Sequence, residues 1–452
     1  MYLRAHVFKK IVATATAAGL GLAGAVVLAG APAEAAMKKV ETPFAYQGSA
    51  FGSRVTLGDP HEGGVASGRT AWSVLACTKM APIRHHGQSD VSRLRANSMI
   101  EVGAVTSLTS TYRRPARKEY GSRSVNKVAS LTVGAEDGPR LEFGALTTRG
   151  VAFNKRGRFG ARAGFDIADV HAYDIDPSGS DTPGPLEDLL SAIDTADDQL
   201  VTTVIEASGS SGIDVPGVGT IYPAGSQRKR SNRRMAAANA FGIRVLLENG
   251  SRVTIGRAWA KIQAAAPAAV FAGHAYGFAA DAADGVATLG TTPYQPLPCT
   301  GTNGNWRTNT LLTVGTPALQ AESMKAQTFG RPFDDGRAVA RSRARVADIV
   351  LGGRLELQGI VGQVNVFQNR AGRVVRRNVH GTRVGAILVD GEPQEVPPPG
   401  ETLEIPGLAK LEHGTRENVG RRGLRVTALR VTMLDGSGLV LDIGTAKARI
   451  VR

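Results

Sequence analysis

Apolar and polar positions alternate in short runs along most of this chain, each run of four to eight residues closed by Gly, Asp or Asn. That period of two predicts β-strands rather than helices. The clearest stretch is written twice. VASLTVGAEDGPRLEFGALTTRGVAFN at 128–154 returns as VADIVLGGRLELQGIVGQVNVFQN at 346–369. Val128 falls on Val346 at an offset of 218, and Arg140, Leu146 and Phe153 fall on Arg354, Ile360 and Phe367 at 214. The four missing residues drop out at Gly-Ala-Glu-Asp-Gly-Pro, where a hairpin loop can change length without moving its strands.

The repetition extends over the chain. Phe44-Ala45-Tyr46 opens one copy and His274-Ala275-Tyr276 the other, and residues 72–78, with Cys77, match 294–300, with Cys299. Late in each copy, 213–217 matches 403–407, 244–251 matches 430–437, and 258–262 matches 446–450. Asn249-Gly250 and Asp435-Gly436 supply the positive-φ pair of a type I′ hairpin turn. The fold class expected is all-β: two homologous, antiparallel, sandwich-like domains at 36–263 and 271–452, joined by an Ala/Pro linker at 264–270. One helix is expected at about 185–200, an insertion in the first copy, because Leu186, Leu189, Leu190 and Ile193 follow helical spacing with acids in the first turn. At 452 residues the chain is long enough for two cores.

The N-terminus carries Arg4, Lys9 and Lys10, then an uncharged run to Ala31 and Ala33-Glu34-Ala35. This pattern predicts a signal peptide, 1–35, cleaved after Ala35, and no membrane-spanning segment afterwards. The GxGxxG at 19–24 lies inside the apolar run and is not a nucleotide-binding turn. After cleavage 51 basic and 38 acidic residues remain. A surplus of that size favours polyanionic partners, which outside a bacterium include teichoic acids and acidic glycans.

Three blocks together carry a family resemblance: the Leu-x-Cys-Thr segment at 75–78 and 297–300, the Gly-Gly hairpin at 346–369, and the Pro-Gly strand followed by a Gly-rich turn and a long last strand. They resemble the actinobacterial choice-of-anchor P family. The resemblance implies an exported surface protein and carries no activity with it. This chain departs from the family pattern in holding two copies of the unit and no visible C-terminal anchor.

The recurrent chemistry is basic. Lys155, Arg156 and Arg158 follow Phe153, and Arg370 and Arg373 follow Phe367. Arg228, Lys229 and Arg230, with Arg233 and Arg234, precede one late strand, and Arg421 and Arg422, with Arg416, precede its counterpart. All four groups are expected in loops, where guanidinium forks meet phosphate or carboxylate. The alternative is a solvated face of a basic protein. The groups lack interleaved aromatics, which argues against dedicated nucleic-acid recognition. Asp174-Ile175-Asp176 begins like a calcium loop, but Pro185 stands where the bidentate Glu belongs, so no metal is expected. Scattered histidines and the absence of a GxSxG elbow point away from catalysis, and no cofactor is expected; a cell-wall-directed hydrolase with a dispersed active site is the competing reading. Cys77 and Cys299 have two readings: a disulfide across the copies, or separate buried thiols repeated with the unit. Repetition of their context favours separate thiols, with Cα atoms more than about 7 Å apart.

Overall fold

A computed structural model describes residues 38–57, 65–66, 69–89, 100–134, 138–173, 212–215, 219–223, 227–247, 250–265, 269–282, 287–316, 319–436 and 438–451. The expected signal peptide, the helix at 185–200 and the calcium-like segment lie outside these residues. The described chain is nearly all β, in several antiparallel sheets. From residue 39 onward the described residues pack as one compact unit.

Sheet I runs in the order Ile213–Val215, Gly219–Pro223, Met235–Leu247, Ser251–Ala264, Val40–Leu57, Val65–Ala66. Arg228–Ser231 also pairs with Met235–Leu247, and Ser73–Ala81 with Val40–Leu57. Sheet II is Arg158–Ile167, Leu146–Lys155, Glu119–Val128, Val105–Arg114, Ile83–Ser89, and sheet III is Val170–Tyr173, Arg140–Phe143, Leu131–Gly134, Ile100–Val102. The later residues build two more. Sheet IV is Ala287–Pro296, Val270–Ala282, Val440–Val451, Gly423–Met433, Ala409–Asn418, Thr402–Ile405. Sheet V is Arg307–Thr316, Leu319–Pro332, Ala338–Leu351, Leu355–Gln368, Ala386–Val389, Glu392–Gln394, with Val374–Asn378 beside Leu355–Gln368. Among the described residues no strand pairing joins a residue before 265 to one after 269.

The repeated stretch forms hairpins in both places. Val128 pairs with Leu146, and Val346 with Ile360. In the later hairpin Gly352 and Gly353 have φ of +57° and +69°, positive values glycine adopts readily, in a three-residue loop closed by the Leu351–Leu355 pair. Burial alternates along Ala338–Leu351, with Ala338, Ala340, Ser342 and Ala344 inward and Val339, Arg341 and Arg343 outward.

The sheets pack in two ways. At one end large aliphatics fill the gap: Ile100, Leu131, Leu141, Ile243 and Ile255 in the early residues, and Leu351, Leu357, Leu411, Val431 and Ile443 in the later ones. Each such side chain contributes roughly 1.5–3 kcal/mol when fully buried. Further along, only small residues lie between the sheets, and the backbones come close enough to bond across the gap. Ser124 Oγ donates to the Trp259 carbonyl at 2.6 Å, and Ser342 Oγ to the Lys447 carbonyl at 2.8 Å. These two bonds stand 218 and 188 residues apart at their two ends, the offsets at which the sequence repeats. Gly256 and Gly444, with φ of +66° and +65°, kink matching strands at this seam. A Cβ at Gly362 would run into the Gly444 carbonyl, so only glycine fits.

The cysteine expectation is overturned. Cys77 and Cys299 form a disulfide, with Cα atoms 5.5 Å apart. They sit in a buried cluster with Ala45, Val270 and Val451. Ala45 pairs with Gln263, and Val270 with Val451, so Ala45 and Val270 hold the same place in their strand pairs. The two thiols approach one another where these two strand pairs meet. The repeated context that favoured separate thiols is the one that lets them bridge.

Candidate functional site

The basic groups fall into two meeting places. Lys155, Arg156 and Arg158 form an exposed hairpin turn: Arg156 and Gly157 have φ of +50° and +84°, and Asn154 Oδ1 accepts from the Gly157 amide at 3.2 Å. Arg228, Lys229 and Arg230 are not in a loop. They form the exposed edge strand Arg228–Ser231, Arg228 opposite Asn239 and Arg230 opposite Ala237. That strand packs beside Arg158–Ile167, the strand that Arg158 opens.

The two late groups also meet, with more of their charge engaged. Arg370 Nε reaches Asp335 Oδ2 at 3.1 Å, a carboxylate that Arg337 Nε holds at 2.7 Å. These contacts keep Asp335 below the usual carboxylate range. Arg373 lies exposed in the same turn, its amide bound to Asn369 Oδ1. Arg421 is exposed on the 3-10 turn Gly420–Arg422. Arg422 acts instead as a pin: its guanidinium donates to the Ile450 carbonyl at 2.9 Å, Gln368 Oε1 at 2.6 Å and the Gly372 carbonyl at 3.0 Å. Arg422 therefore belongs to the fold, and the expectation that it presents its fork to a ligand fails. Beside this turn lies a hollow of about 490 Å³ lined by Arg377, His380, Thr382 and Arg416 among others.

The sequence reading missed the outer faces of sheets II and V. Arg341, Arg343 and Arg345 occupy alternate positions of Ala338–Leu351, about 6.6 Å apart by strand rise, and point away from the seam. Arg123 and Lys127 stand 218 residues earlier on Glu119–Val128. The charges crowd one another. Burial first, then Arg345 and Arg341, lower the Arg343 pKa; burial and then Arg149 lower that of Arg123. Aromatic rings sit between the guanidiniums. Arg343 lies 4.9 Å from the Trp306 centroid, Trp306 contacts Phe329 at 5.5 Å, and Arg341 lies 5.8 Å from Phe329 and 5.7 Å from Phe367. Arg376 caps the row over Phe367 at 5.8 Å. One amide supports it: Gln327 accepts from Arg343 at 2.9 Å and donates to Thr308 Oγ1 at 3.1 Å. The basic groups do lack aromatics along the chain; the fold supplies rings from neighbouring strands. The signal was present in Ala-Arg-Ser-Arg-Ala-Arg at 340–345, a strand-period pattern with small residues inward and arginine outward.

The histidines take separate places. His274 lies against Tyr276 and Tyr294 at 5.8 and 5.5 Å, and burial, Lys447 and Arg425 push its pKa down to about 3. His413 Nδ1 contacts the Pro397 carbonyl at 2.5 Å. His171 meets Asp169 at 3.2 Å on the surface. Among the described residues no three His, Cys, Asp or Glu side chains are grouped to hold a metal ion.

What fold and faces define together is a class: a multi-sheet antiparallel β protein with arginine-rich outer faces. No protein-family model and no curated protein matches the chain. Among solved structures, a lipopolysaccharide binding protein is 10% identical, the match covering 87% of this chain and 100% of that one, with a TM-score of 0.10. A mutant TodX monoaromatic hydrocarbon channel is 9% identical over 90% of this chain and 88% of that one, also with a TM-score of 0.10. Likenesses that slight bear on neither fold nor function.

Proposed function

We propose that the chain is an exported, non-catalytic envelope protein, built from two copies of one sandwich-like β unit and binding anionic polymer such as teichoic acid or acidic glycan. One observation carries the reading: in each half the basic turn lies on the same sheet as the arginine-bearing outer face, so charge continues from Arg156 to Arg123 and from Arg373 to Arg341. A flexible polyanion lying along such a surface meets several guanidiniums at once. The Ser124–Trp259 and Ser342–Lys447 bonds support duplication of the unit. The disulfide supports an oxidising compartment, as does the signal-like N-terminus. Among the described residues no helix is long and apolar enough to cross a membrane. The choice-of-anchor P resemblance fits the same place and role.

The test is binding of the mature chain to teichoic acid across a salt series. Association should weaken linearly on a log–log plot, as it does when counterions are released together. Replacing Arg156, Arg158, Arg370 and Arg373 by Gln should flatten that slope, by less than about one per residue because Arg370 already has Asp335. Arg341, Arg343 and Arg345 to Gln should flatten it further. If both variants bind like wild type at low salt, the surplus charge serves solubility and the reading falls.

A further inference from the structure

A third set of arginines lies on neither sheet II nor sheet V. Arg54 is on Val40–Leu57, Arg257 on Ser251–Ala264, and Arg69 follows Val65–Ala66. The kink at Gly256 brings Arg257 to the outer side of sheet I, level with Phe51, its cross-strand partner. Two guanidiniums then share one ring: Arg69 lies 5.5 Å and Arg257 5.9 Å from the Phe51 centroid. Arg69 also covers Trp72 at 4.8 Å, and Arg257 covers Phe241 at 5.0 Å. Burial first, and then the nearby charge of Arg54, depress the basicity of both. Trp72 is 52% exposed, so the cluster borders solvent there.

Among the described residues, three like charges are gathered here without a counter-charge. None of the three is paired with a carboxylate among the described residues, and the Nε atoms of Arg54 and Arg69 are buried without a partner. One polar contact is made, from Arg257 Nε to Asn239 Oδ1 at 3.2 Å. Burying uncompensated charge is costly, and stacking on rings occupies the guanidinium faces while leaving their N–H edges open. The fold itself does not require the charges. By strand pairing, Arg54 corresponds to Ala279 and Arg257 to Thr445 in the later half. The cluster is an addition made in one half only.

We propose that Arg54, Arg69 and Arg257 form a binding site for a tetrahedral oxyanion dianion, a phosphate or phosphomonoester group, entering beside Trp72. Each guanidinium carries five N–H donors in a planar fork, so three can surround an anion with charge-assisted hydrogen bonds. A dianion offsets more of the triple charge than a carboxylate does. The site is separate from the basic turns and does not depend on polymer binding there.

The experiment is calorimetric and thermal titration of the mature chain with inorganic phosphate, glycerol phosphate and acetate, ionic strength held constant with sodium chloride. Phosphate should bind one to one and raise Tm by several degrees; acetate should not. Tighter binding of glycerol phosphate identifies an organic phosphomonoester as the ligand, and tighter binding of inorganic phosphate identifies the free ion. Arg54→Ala and Arg257→Thr, the residues the other half carries, should each weaken phosphate at least tenfold. Arg156→Gln with Arg158→Gln should leave it unchanged, which separates this site from the polymer surface. No heat and no shift with phosphate in the wild type, equal shifts with acetate, or wild-type affinity in both site variants would overturn the proposal.

Discussion

Replacing both cysteines by alanine tests the junction of the two halves. Cys77 and Cys299 are separated by 222 residues, and the loop-entropy relation gives about 5 kcal/mol for a bridge closing a loop of that length. Truncation also removes two buried sulfurs, at 4% and 1% exposure, worth roughly 1 kcal/mol each in burial. The larger aliphatic clusters of the early and late residues do not share members, and the cysteines belong to a small cluster of their own. The bridge is a covalent tie between these cores, beside the contacts that Ser73–Ala81 makes with Val270–Ala282 and Val440–Val451. Denaturant unfolding of Cys77→Ala/Cys299→Ala should lose about 7 kcal/mol, the bridge and the two sulfurs together, and split into two transitions, one for each half. Alanine is the right replacement, because serine would bury an unpaired hydroxyl. A loss below about 1 kcal/mol with one sharp transition, or a non-reducing peptide map lacking the Cys77–Cys299 linkage, refutes this reasoning.

Three further outcomes follow from the geometry. Gly362→Ala should cost about 3 kcal/mol or more in chemical unfolding, since its Cβ meets a backbone carbonyl that cannot rotate away. Arg422→Met should cost about 2–3 kcal/mol by leaving Gln368, Gly372 and Ile450 oxygens without their donor, while leaving the polymer salt slope unchanged; Arg421→Met should fall within about 0.5 kcal/mol of wild type. His274 stays neutral in the folded chain down to about pH 3, whereas the unfolded imidazole protonates near 6.5. Its contribution is thus complete above about pH 6.5 and declines as pH falls toward 3, so pH-dependent unfolding should show a slope in that window that His274→Phe removes.

The alternation of apolar and polar residues made the strands legible, and the repeat set Val128 against Val346 and Leu146 against Ile360, residues the structure pairs as Val128–Leu146 and Val346–Ile360. Pairing of strands distant in sequence was not. Arg228–Ser231 reads as a loop because its residues are all polar; it becomes a strand through its neighbour Met235–Leu247. The role of Arg422 was hidden for a related reason: a guanidinium bound to backbone carbonyls has no sequence mark that separates it from an exposed Arg421. The outer-face arginines lay in plain alternation at 341, 343 and 345, but the rings beside them come from strands up to 37 residues away. Cross-strand neighbours are fixed only once the sheet exists.

The small-residue seam between the sheets divides the protein into two evolutionary regimes. Gly362, Gly444, Ala344 and Ser342 face a partner backbone at contact distance, so drift at these sites is confined to side chains no larger than those already there. Each outward neighbour, such as Arg341 or Arg343, meets rings and water and can change size and charge without touching the seam. A saturation scan scored for folding alone should then show stripes along Ala338–Leu351, intolerant and permissive residues alternating one by one. A lineage starting from this chain can change the charge and shape of its exterior while its interior stands still.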